Sequence, residues 1–228
     1  PDGDRYEGGY KNGFRDGQGI YVWADGDRYE GEFKAGLRDG YGVYYYSTGT
    51  LYEGEWKNGS EHGQGSIMYK GGGSYKGGWK NGLEHGWGVQ IWSSGGSYTG
   101  EWADGKEHGQ GITIFDNGAR HEGGNKFGLL DGNGTYTYTD GTRYEGEFKD
   151  GAFNGKGTMI YPDGGYDEGT WKNGKLHGYI IHIYSDGGRE EGEYIFDSRH
   201  GKFIGTYPND INYVWFYQYG EEIPETTP

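Results

Sequence analysis

The sequence predicts an all-β protein, an elongated, single-layer, twisted antiparallel sheet of tandem 23-residue β-hairpins. Three observations predict this class. A 23-residue block recurs along the chain without insertion. Glycine supplies 52 of the 228 residues, and each glycine inside a helix costs about 1 kcal/mol, which argues against helical folds. Aromatic residues make up 18% of the chain, more than half of its 31% hydrophobic content, so a core must be built mainly from rings.

The block starts at Tyr6, which we number position 1. Eight full repeats are followed by a ninth that loses the pattern after about Phe203, and residues 1–5 match the end of an earlier unit. The repeats begin at Tyr6, Tyr29, Tyr52, Tyr75, Tyr98, His121, Tyr144, Asp167 and Glu190. We therefore predict a repeat array over residues 1–203. Residues 204–228 are predicted to form a C-terminal aromatic capping strand and tail, because repeat arrays need capped ends.

The first five positions of a repeat indicate a β-strand. In YEGEW of repeat 3, Tyr, Gly and Trp alternate with two glutamates, so the rings share one face and the acids share the other. Position 3 is glycine in all nine repeats, and we expect it to leave room for a ring over the backbone. We expect the acidic pairs, such as Glu53 and Glu55, on a solvated face, with lysines such as Lys57 as cross-strand charge partners.

The rest of the repeat combines turns with a second strand. KNG and HG are followed by short strands such as GIYVW, and DG precedes the next repeat. We expect the glycines at positions 8, 12 and 21 to lie in turns, where glycine readily adopts positive φ. Each repeat is thus predicted to be a two-stranded hairpin, and successive hairpins to join as an antiparallel meander.

No residue pattern indicates catalysis. His62, His85 and His108 recur at one repeat position, but neighbouring copies are expected roughly 9.6 Å apart, too far to share a metal ion. The chain has no cysteine, which excludes disulfides and thiolate metal sites. The GxG runs precede strands, whereas a phosphate-binding loop precedes a helix. We therefore predict no catalytic, cofactor-binding or metal-binding residue.

The rings at positions 1 and 5 form the candidate binding site. A single-layer sheet cannot bury both sides of every ring, and large exposed apolar patches mark interaction sites. We therefore predict a groove that binds a partner peptide or helix. The site should end near repeat 6, where His121 and Asn125 replace the rings. The predicted partner-binding residues are Tyr29, Phe33, Tyr52, Trp56, Tyr75, Trp79, Tyr98 and Trp102.

The pattern YEGEWKNG…HGQGxxxY…DG resembles the MORN (membrane occupation and recognition nexus) repeat. This resemblance implies a single-layer twisted sheet with an aromatic-lined concave groove. Three repeats depart from the pattern, because a groove ring is replaced by His121 and Asn125 in repeat 6, by Asp167 in repeat 8 and by Glu190 in repeat 9. An all-repeat chain with many HGxG units also resembles the radial spoke head proteins of cilia and other cytoskeletal scaffolds. This second resemblance implies that the protein is a non-catalytic, cytoplasmic protein-binding scaffold in a cytoskeletal or ciliary (axonemal) assembly.

Other partners and functions stay open. Similar repeats occur in junctophilin-like proteins and beside lipid-kinase and methyltransferase domains, so a membrane or phospholipid module and a regulatory arm of such an enzyme are alternatives. The net charge of −14 argues against nucleic acid and disfavours anionic membranes, because only repeat 4 is net positive. The aromatic strand from Asn212 to Gly220 leaves a homodimer as a further alternative.

Overall fold

The computed structural model describes residues 3–206 and 212–223. These residues form twenty β-strands and no helix, and so include no helix that could cross a membrane. The chain divides into two compact units, residues 1–116 and 117–228. The all-β prediction is confirmed.

In unit 1 every repeat supplies a seven-residue strand and a nine-residue strand, and consecutive strands pair antiparallel. The strands are β1 Arg5–Lys11, β2 Phe14–Val22, β3 Arg28–Lys34, β4 Leu37–Tyr45, β5 Leu51–Lys57, β6 Ser60–Met68, β7 Ser74–Lys80, β8 Leu83–Ile91, β9 Ser97–Ala103 and β10 Lys106–Ile114. The predicted meander of hairpins is confirmed in this unit.

Unit 2 continues the same pattern of antiparallel pairing between consecutive strands. Its strands are β11 Arg120–Lys126, β12 Leu129–Thr137, β13 Arg143–Lys149, β14 Ala152–Ile160, β15 Tyr166–Lys172, β16 Lys175–Ile183, β17 Arg189–Ile195, β18 Ser198–Thr206, β19 Asn212–Gln218 and β20 Glu221–Ile223.

The predicted capping segment contains β19 and β20. The boundary that we placed after residue 203 falls inside β18, which continues to Thr206 and pairs with β19. Residues 207–211 and 224–228 of the segment lie outside the described residues. Its role as a cap stays a prediction.

A tight turn joins the two strands of each repeat. In repeat 1, Asn12 and Gly13 both have positive φ, 51° and 81°. Positive φ at both central residues is the signature of a type I′ turn, whose twist matches that of the flanking strands. The prediction that position 8 lies in a turn is therefore confirmed.

Position 12 lies elsewhere than predicted. Gly40 has φ of 113°, but it sits inside β4 and not in a turn between strands. Gly31 pairs with Gly42 while Phe33 pairs with Arg38, so extra residues of β4 bulge out at this point. A β-bulge needs an unusual backbone conformation, as a turn does, and glycine supplies it in both.

The bulge explains the glutamate at position 4. Glu55 Oε1 accepts a hydrogen bond of 2.9 Å from the backbone N–H of Gln64, a donor that the bulge leaves without a strand partner. The same bond joins position 4 to position 13 in three other repeats, from Tyr41 to Glu32, Gln110 to Glu101 and Lys156 to Glu147. These carboxylates share the solvated face predicted for them, which we call the outer face, but they also satisfy the bulge.

The charge partners on the outer face differ from the prediction. The ion pairs of position 2 are made by arginines two residues earlier on the same strand, as in Arg143 with Glu145 at 2.9 Å. Among the described residues, Lys57 takes part in no ion pair. The prediction that the lysines are the partners was therefore wrong.

The bulge bond leads to a first prediction, which compares two neighbouring glutamates of β5. We expect Glu55→Ala to lower the free energy of unfolding by about 1 kcal/mol, because the amide of Gln64 loses its acceptor. Glu53→Ala, which removes an exposed contact with the Tyr41 hydroxyl, should change it by less than about 0.5 kcal/mol. Urea unfolding followed by circular dichroism measures both variants, and equal losses would show that the bulge bond adds no more stability than the exposed contact of Glu53.

The core is built on a tyrosine that crosses a pair of glycines. The Tyr29 hydroxyl donates a 3.0 Å hydrogen bond to the carbonyl oxygen of Glu32, and the ring is fully buried. A Cβ atom at Gly42 would lie 2.3 Å from that hydroxyl oxygen, and one at Gly31 would lie 2.5 Å from the Gly42 backbone. The prediction that position 3 makes room for a ring is confirmed, and position 14 is equally necessary.

Candidate binding groove

One face of the unit 1 sheet carries the predicted site residues. Strand register places position 1 opposite position 16 and position 5 opposite position 10, as in the pairs Tyr29 with Tyr44 and Phe33 with Arg38. Because paired residues point to the same side of a sheet, positions 1, 5, 10 and 16 share a face. We call it the aromatic face.

The structure brings all eight predicted partner-binding residues together on this face. They form one buried cluster, in which rings of successive repeats meet edge to face. The ring centres of Tyr29 and Trp56 are 5.3 Å apart at an interplanar angle of 83°. This arrangement is favourable because the positive edge of one ring lies against the negative face of the other. The same contact recurs between Tyr52 and Trp79 and between Tyr75 and Trp102.

Burial makes these rings the floor of the aromatic face. The four tyrosines are completely buried, and Trp102, the most exposed of the other four side chains, is 8% exposed. Burial also raises the pKa of the tyrosine hydroxyls, which therefore stay protonated and act as hydrogen-bond donors. The eight side chains thus stabilise unit 1 and offer a ligand little surface of their own.

The indole N–H groups on the floor differ in their partners. Trp56 Nε1 donates to the carbonyl oxygen of Gly42 at 3.2 Å, and Trp102 Nε1 donates to that of Gly88 at 3.3 Å. Trp79 Nε1 is buried and has no hydrogen-bond partner among the described residues. The centre of the floor therefore holds one unsatisfied donor.

More accessible rings border the floor. Position 18 is aromatic in all eight full repeats, and its Trp23, Tyr46 and Trp92 pack partly buried against the cluster. Tyr69 at the same position is 38% exposed. These rings are not among the partner-binding residues predicted from the sequence, although their recurrence in every full repeat was a usable signal.

Position 10 places charged side chains on the aromatic face. The Arg38 guanidinium carbon lies 4.2 Å from the Trp56 ring centre and 4.9 Å from that of Tyr44, and Arg38 also donates to the carbonyl oxygen of Gly59 at 2.6 Å. Arg15 lies 4.5 Å from the ring centre of Tyr21. A cation above an aromatic ring is attracted by the negative ring face.

Repeats 3 to 5 carry glutamate at position 10. The Tyr46 hydroxyl donates to Glu61 at 3.2 Å. Burial and, to a smaller extent, the nearby charge of Glu84 raise the pKa values of Tyr69 and Tyr75. Loss of solvent raises the pKa of Glu107 to about 7, because burial disfavours its charged form. Position 10 therefore changes from a basic residue in repeats 1 and 2 to an acidic residue in repeats 3 to 5.

Unit 2 departs from the tyrosine pattern in two ways. In repeats 8 and 9, Asp167 and Glu190 stand at position 1, while Ile180 and Phe203 replace the glycine at position 14 and fill the core from the opposite strand. In repeat 6, His121 is completely buried beside Phe148, and neither ring nitrogen has a hydrogen-bond partner among the described residues.

The acidic replacements have their own partners. Asp167 accepts a 2.5 Å hydrogen bond from the Tyr161 hydroxyl and contacts His182 Nδ1. Glu190 forms a 2.6 Å ion pair with Arg199. Burying a charge is costly unless it is paired, so these contacts make the substitutions compatible with a folded core.

The solved structures that resemble the chain have low sequence identity and low TM-scores. The chain is similar to the SAS-4 (dCPAP) TCP domain of Drosophila melanogaster in complex with a proline-rich motif of Ana2 (14% identity, 74% of this chain and 90% of that chain, TM-score 0.43). It is also similar to the G-box domain of the microcephaly protein CPAP (12% identity, 89% of this chain and 100% of that chain, TM-score 0.46). A third similar structure is the TCP10 domain of Danio rerio CPAP (14% identity, 100% of this chain and 97% of that chain, TM-score 0.32). TM-scores below 0.5 say nothing about a partner of this chain.

Sequence comparisons were made with curated proteins and with protein-family models. No curated protein sequence is significantly similar to the chain. The model of the MORN repeat matches eight consecutive segments, which cover most of the chain. These segments are residues 6–28, 29–51, 52–74, 75–97, 98–120, 121–143, 144–166 and 168–189. The matched segments follow the 23-residue hairpins that the structure shows, and the chain therefore belongs to the MORN-repeat family.

Proposed function

We propose that the chain is a non-catalytic scaffold that binds a partner peptide or helix along the aromatic face of repeats 2 to 5. The observation that carries the proposal is the continuous ring floor of unit 1 with more accessible rings beside it. Grooves lined by aromatic rings are a common way to bind peptides. Tandem repeats suit this task, because they place equivalent side chains at regular intervals.

The predicted site residues take a defined part in this proposal. Tyr29, Phe33, Tyr52, Trp56, Tyr75, Trp79, Tyr98 and Trp102 form the floor and set its shape. Contact with the partner then falls mainly on position 18 and position 10, whose side chains are less buried. Tyr69 is the most open ring of this group.

The cellular setting is part of the proposal. We place the scaffold in the cytoplasm, in a cytoskeletal or ciliary assembly of the radial-spoke type, on the family resemblance and the absence of cysteine. A membrane or phospholipid module is the alternative, together with a regulatory arm of a lipid kinase or methyltransferase. The net charge of −14 and the acidic side chains of repeats 3 to 5 disfavour an anionic membrane surface.

A photo-crosslinking experiment tests the proposal. We replace Tyr69 on the aromatic face by p-benzoylphenylalanine, and in a second protein we replace Trp87 on the outer face, which is 60% exposed. After irradiation with native extract and mass spectrometry, we expect the Tyr69 probe to capture a partner protein that the Trp87 probe does not capture. Capture of partners only by the Trp87 probe would assign binding to the outer face and contradict the proposal.

A further inference from the structure

Position 10 of the repeat is built to hold a cation above aromatic rings. Arg38 lies over Trp56 and Tyr44. In unit 2, Arg199 at the same position lies 5.2 Å from the ring centre of Tyr217 and pairs with Glu190. With Arg15, the chain thus shows three times how a guanidinium fits at this position, and Arg199 shows how a carboxylate can accompany it.

Repeats 3 to 5 keep the rings at positions 5 and 18 but have no cation at position 10. Position 10 is Glu61, Glu84 and Glu107 there, and among the described residues none of the three forms an ion pair. All three side chains are partly buried. Carboxylates that are partly removed from water and border aromatic rings favour a positively charged ligand.

The same region carries unused hydrogen-bonding groups. Thr113, which pairs with Tyr98 on the aromatic face, is 5% exposed, and its Oγ1 atom has no hydrogen-bond partner among the described residues. Trp79 Nε1 is also without a partner in that part of the chain. Buried polar groups are rarely left unsatisfied, and each such group calls for an explanation.

Side-chain chemistry at position 16 also changes along the aromatic face. Position 16 is Tyr21 and Tyr44 in repeats 1 and 2, but Ile67, Gln90 and Thr113 in repeats 3 to 5. In repeats 1 and 2 the arginine at position 10 lies over the ring at position 16. In repeats 3 to 5 that ring is absent, and the rings at position 18 are the accessible ones beside the glutamates.

We propose that repeats 3 to 5 receive basic side chains, preferably arginine, from a partner segment in the polyproline II conformation with a basic residue at every third position. This inference rests on the proposed function and names the partner chemistry of the same groove. Each arginine would lie over the more accessible ring at position 18 and pair with the carboxylate at position 10. Arginine is favoured over lysine because its planar guanidinium stacks on aromatic rings and forms bidentate hydrogen bonds with carboxylates.

The three-residue period follows from the spacing of the repeats. Two strand spacings place equivalent carboxylates roughly 9.6 Å apart. A polyproline II segment advances about 9.3 Å in three residues and returns every third side chain to the same side. An extended β-strand turns its third side chain to the opposite side, so it presents basic residues to successive carboxylates less well.

Synthetic peptides test the inference on the full chain by isothermal titration calorimetry at ~0.15 M salt. The probe is acetyl-(Arg-Pro-Pro)3-amide. The comparison peptides are Arg-Arg-Arg-(Pro)6, with the same composition but no period, and (Glu-Pro-Pro)3. The groove triple carries Glu61→Gln, Glu84→Gln and Glu107→Gln. The control triple carries the same three glutamate-to-glutamine changes on the outer face, at Glu7, Glu53 and Glu168.

We expect the periodic arginine peptide to bind the wild-type chain and the control triple within twofold of each other, and the groove triple at least tenfold more weakly. The composition-matched peptide should bind more weakly than the periodic one. No binding of the arginine peptide at millimolar concentration, equal weakening by both triples, equal binding of the aperiodic peptide or preference for the glutamate peptide would each overturn the inference. None of these results alters the crosslink from Tyr69, which decides the proposed function separately.

Discussion

Replacement of Gly88 by alanine should lower the free energy of unfolding by about 2–4 kcal/mol, the loss expected when a core is overpacked and a buried ring is displaced. A Cβ atom at this position would lie 2.3 Å from the Tyr75 hydroxyl oxygen and 2.5 Å from a ring carbon. Tyr75 is completely buried and donates to the carbonyl oxygen of Gly78, so it has no free space to move into.

Gly71→Ala is the matched control for this glycine. Gly71 is exposed, its φ is not in the left-handed region, and nothing lies within 4 Å of a Cβ atom built there. Alanine restricts the unfolded chain, so stability should stay unchanged or rise by up to about 1 kcal/mol. Urea unfolding followed by circular dichroism compares the two variants. A loss below about 0.5 kcal/mol for Gly88→Ala would show that the ring does not depend on position 14.

The period and the ring chemistry made most of the fold predictable. A strict 23-residue repeat leaves few ways to arrange two short strands, and rings such as Tyr52 and Trp56 must meet because they alternate along one strand. The extent of their burial could not be predicted in this way. It depends on edge-to-face contact with the next repeat, as between Tyr52 and Trp79, and so on the distance between hairpins.

The bulge accounts for most of what sequence reasoning missed. A glycine with positive φ suits a turn and a bulge equally well, so Gly40 alone does not distinguish them. The bulge pairs Phe33 with Arg38, where a regular ladder would pair it with Gly40. Position 10 lies six residues before position 16, so alternation alone places its charges on the aromatic face, but their contact with position 5 and the acceptor role of Glu32 depend on the bulge.

Replacement of His121 by tyrosine should stabilise the chain. Position 1 normally donates a hydroxyl hydrogen bond to the carbonyl oxygen of position 4, as Tyr75 does to Gly78 at 2.9 Å. Repeat 6 retains the Gly123–Gly134 pair that makes room for the ring, but His121 leaves both nitrogens unsatisfied. At pH 7.5 we expect a gain of about 1–3 kcal/mol, because a buried unsatisfied group is removed and a hydrogen bond to Gly124 is added.

The stabilisation should grow in acid. Burial lowers the pKa of His121 from 6.5 to about 4, so between these values the unfolded chain binds a proton that the folded chain does not bind. The wild-type chain therefore loses stability as the pH falls from 6.5 to 4, and the full loss from this group is about 3 kcal/mol. Tyrosine does not titrate in this range, so the difference between the variant and wild type should widen by that amount.

A phenylalanine variant separates the two effects. His121→Phe removes the titrating group without supplying a hydroxyl, so it should show the same change of stability with pH relative to wild type. It should remain about 1 kcal/mol less stable than His121→Tyr at every pH, the usual contribution of one hydrogen bond. Urea unfolding at pH 7.5, 5.5 and 4.5 measures all three proteins. A stability difference between tyrosine and wild type that stays constant over this range would mean that His121 can take up a proton in the folded chain, and hence that water reaches its ring.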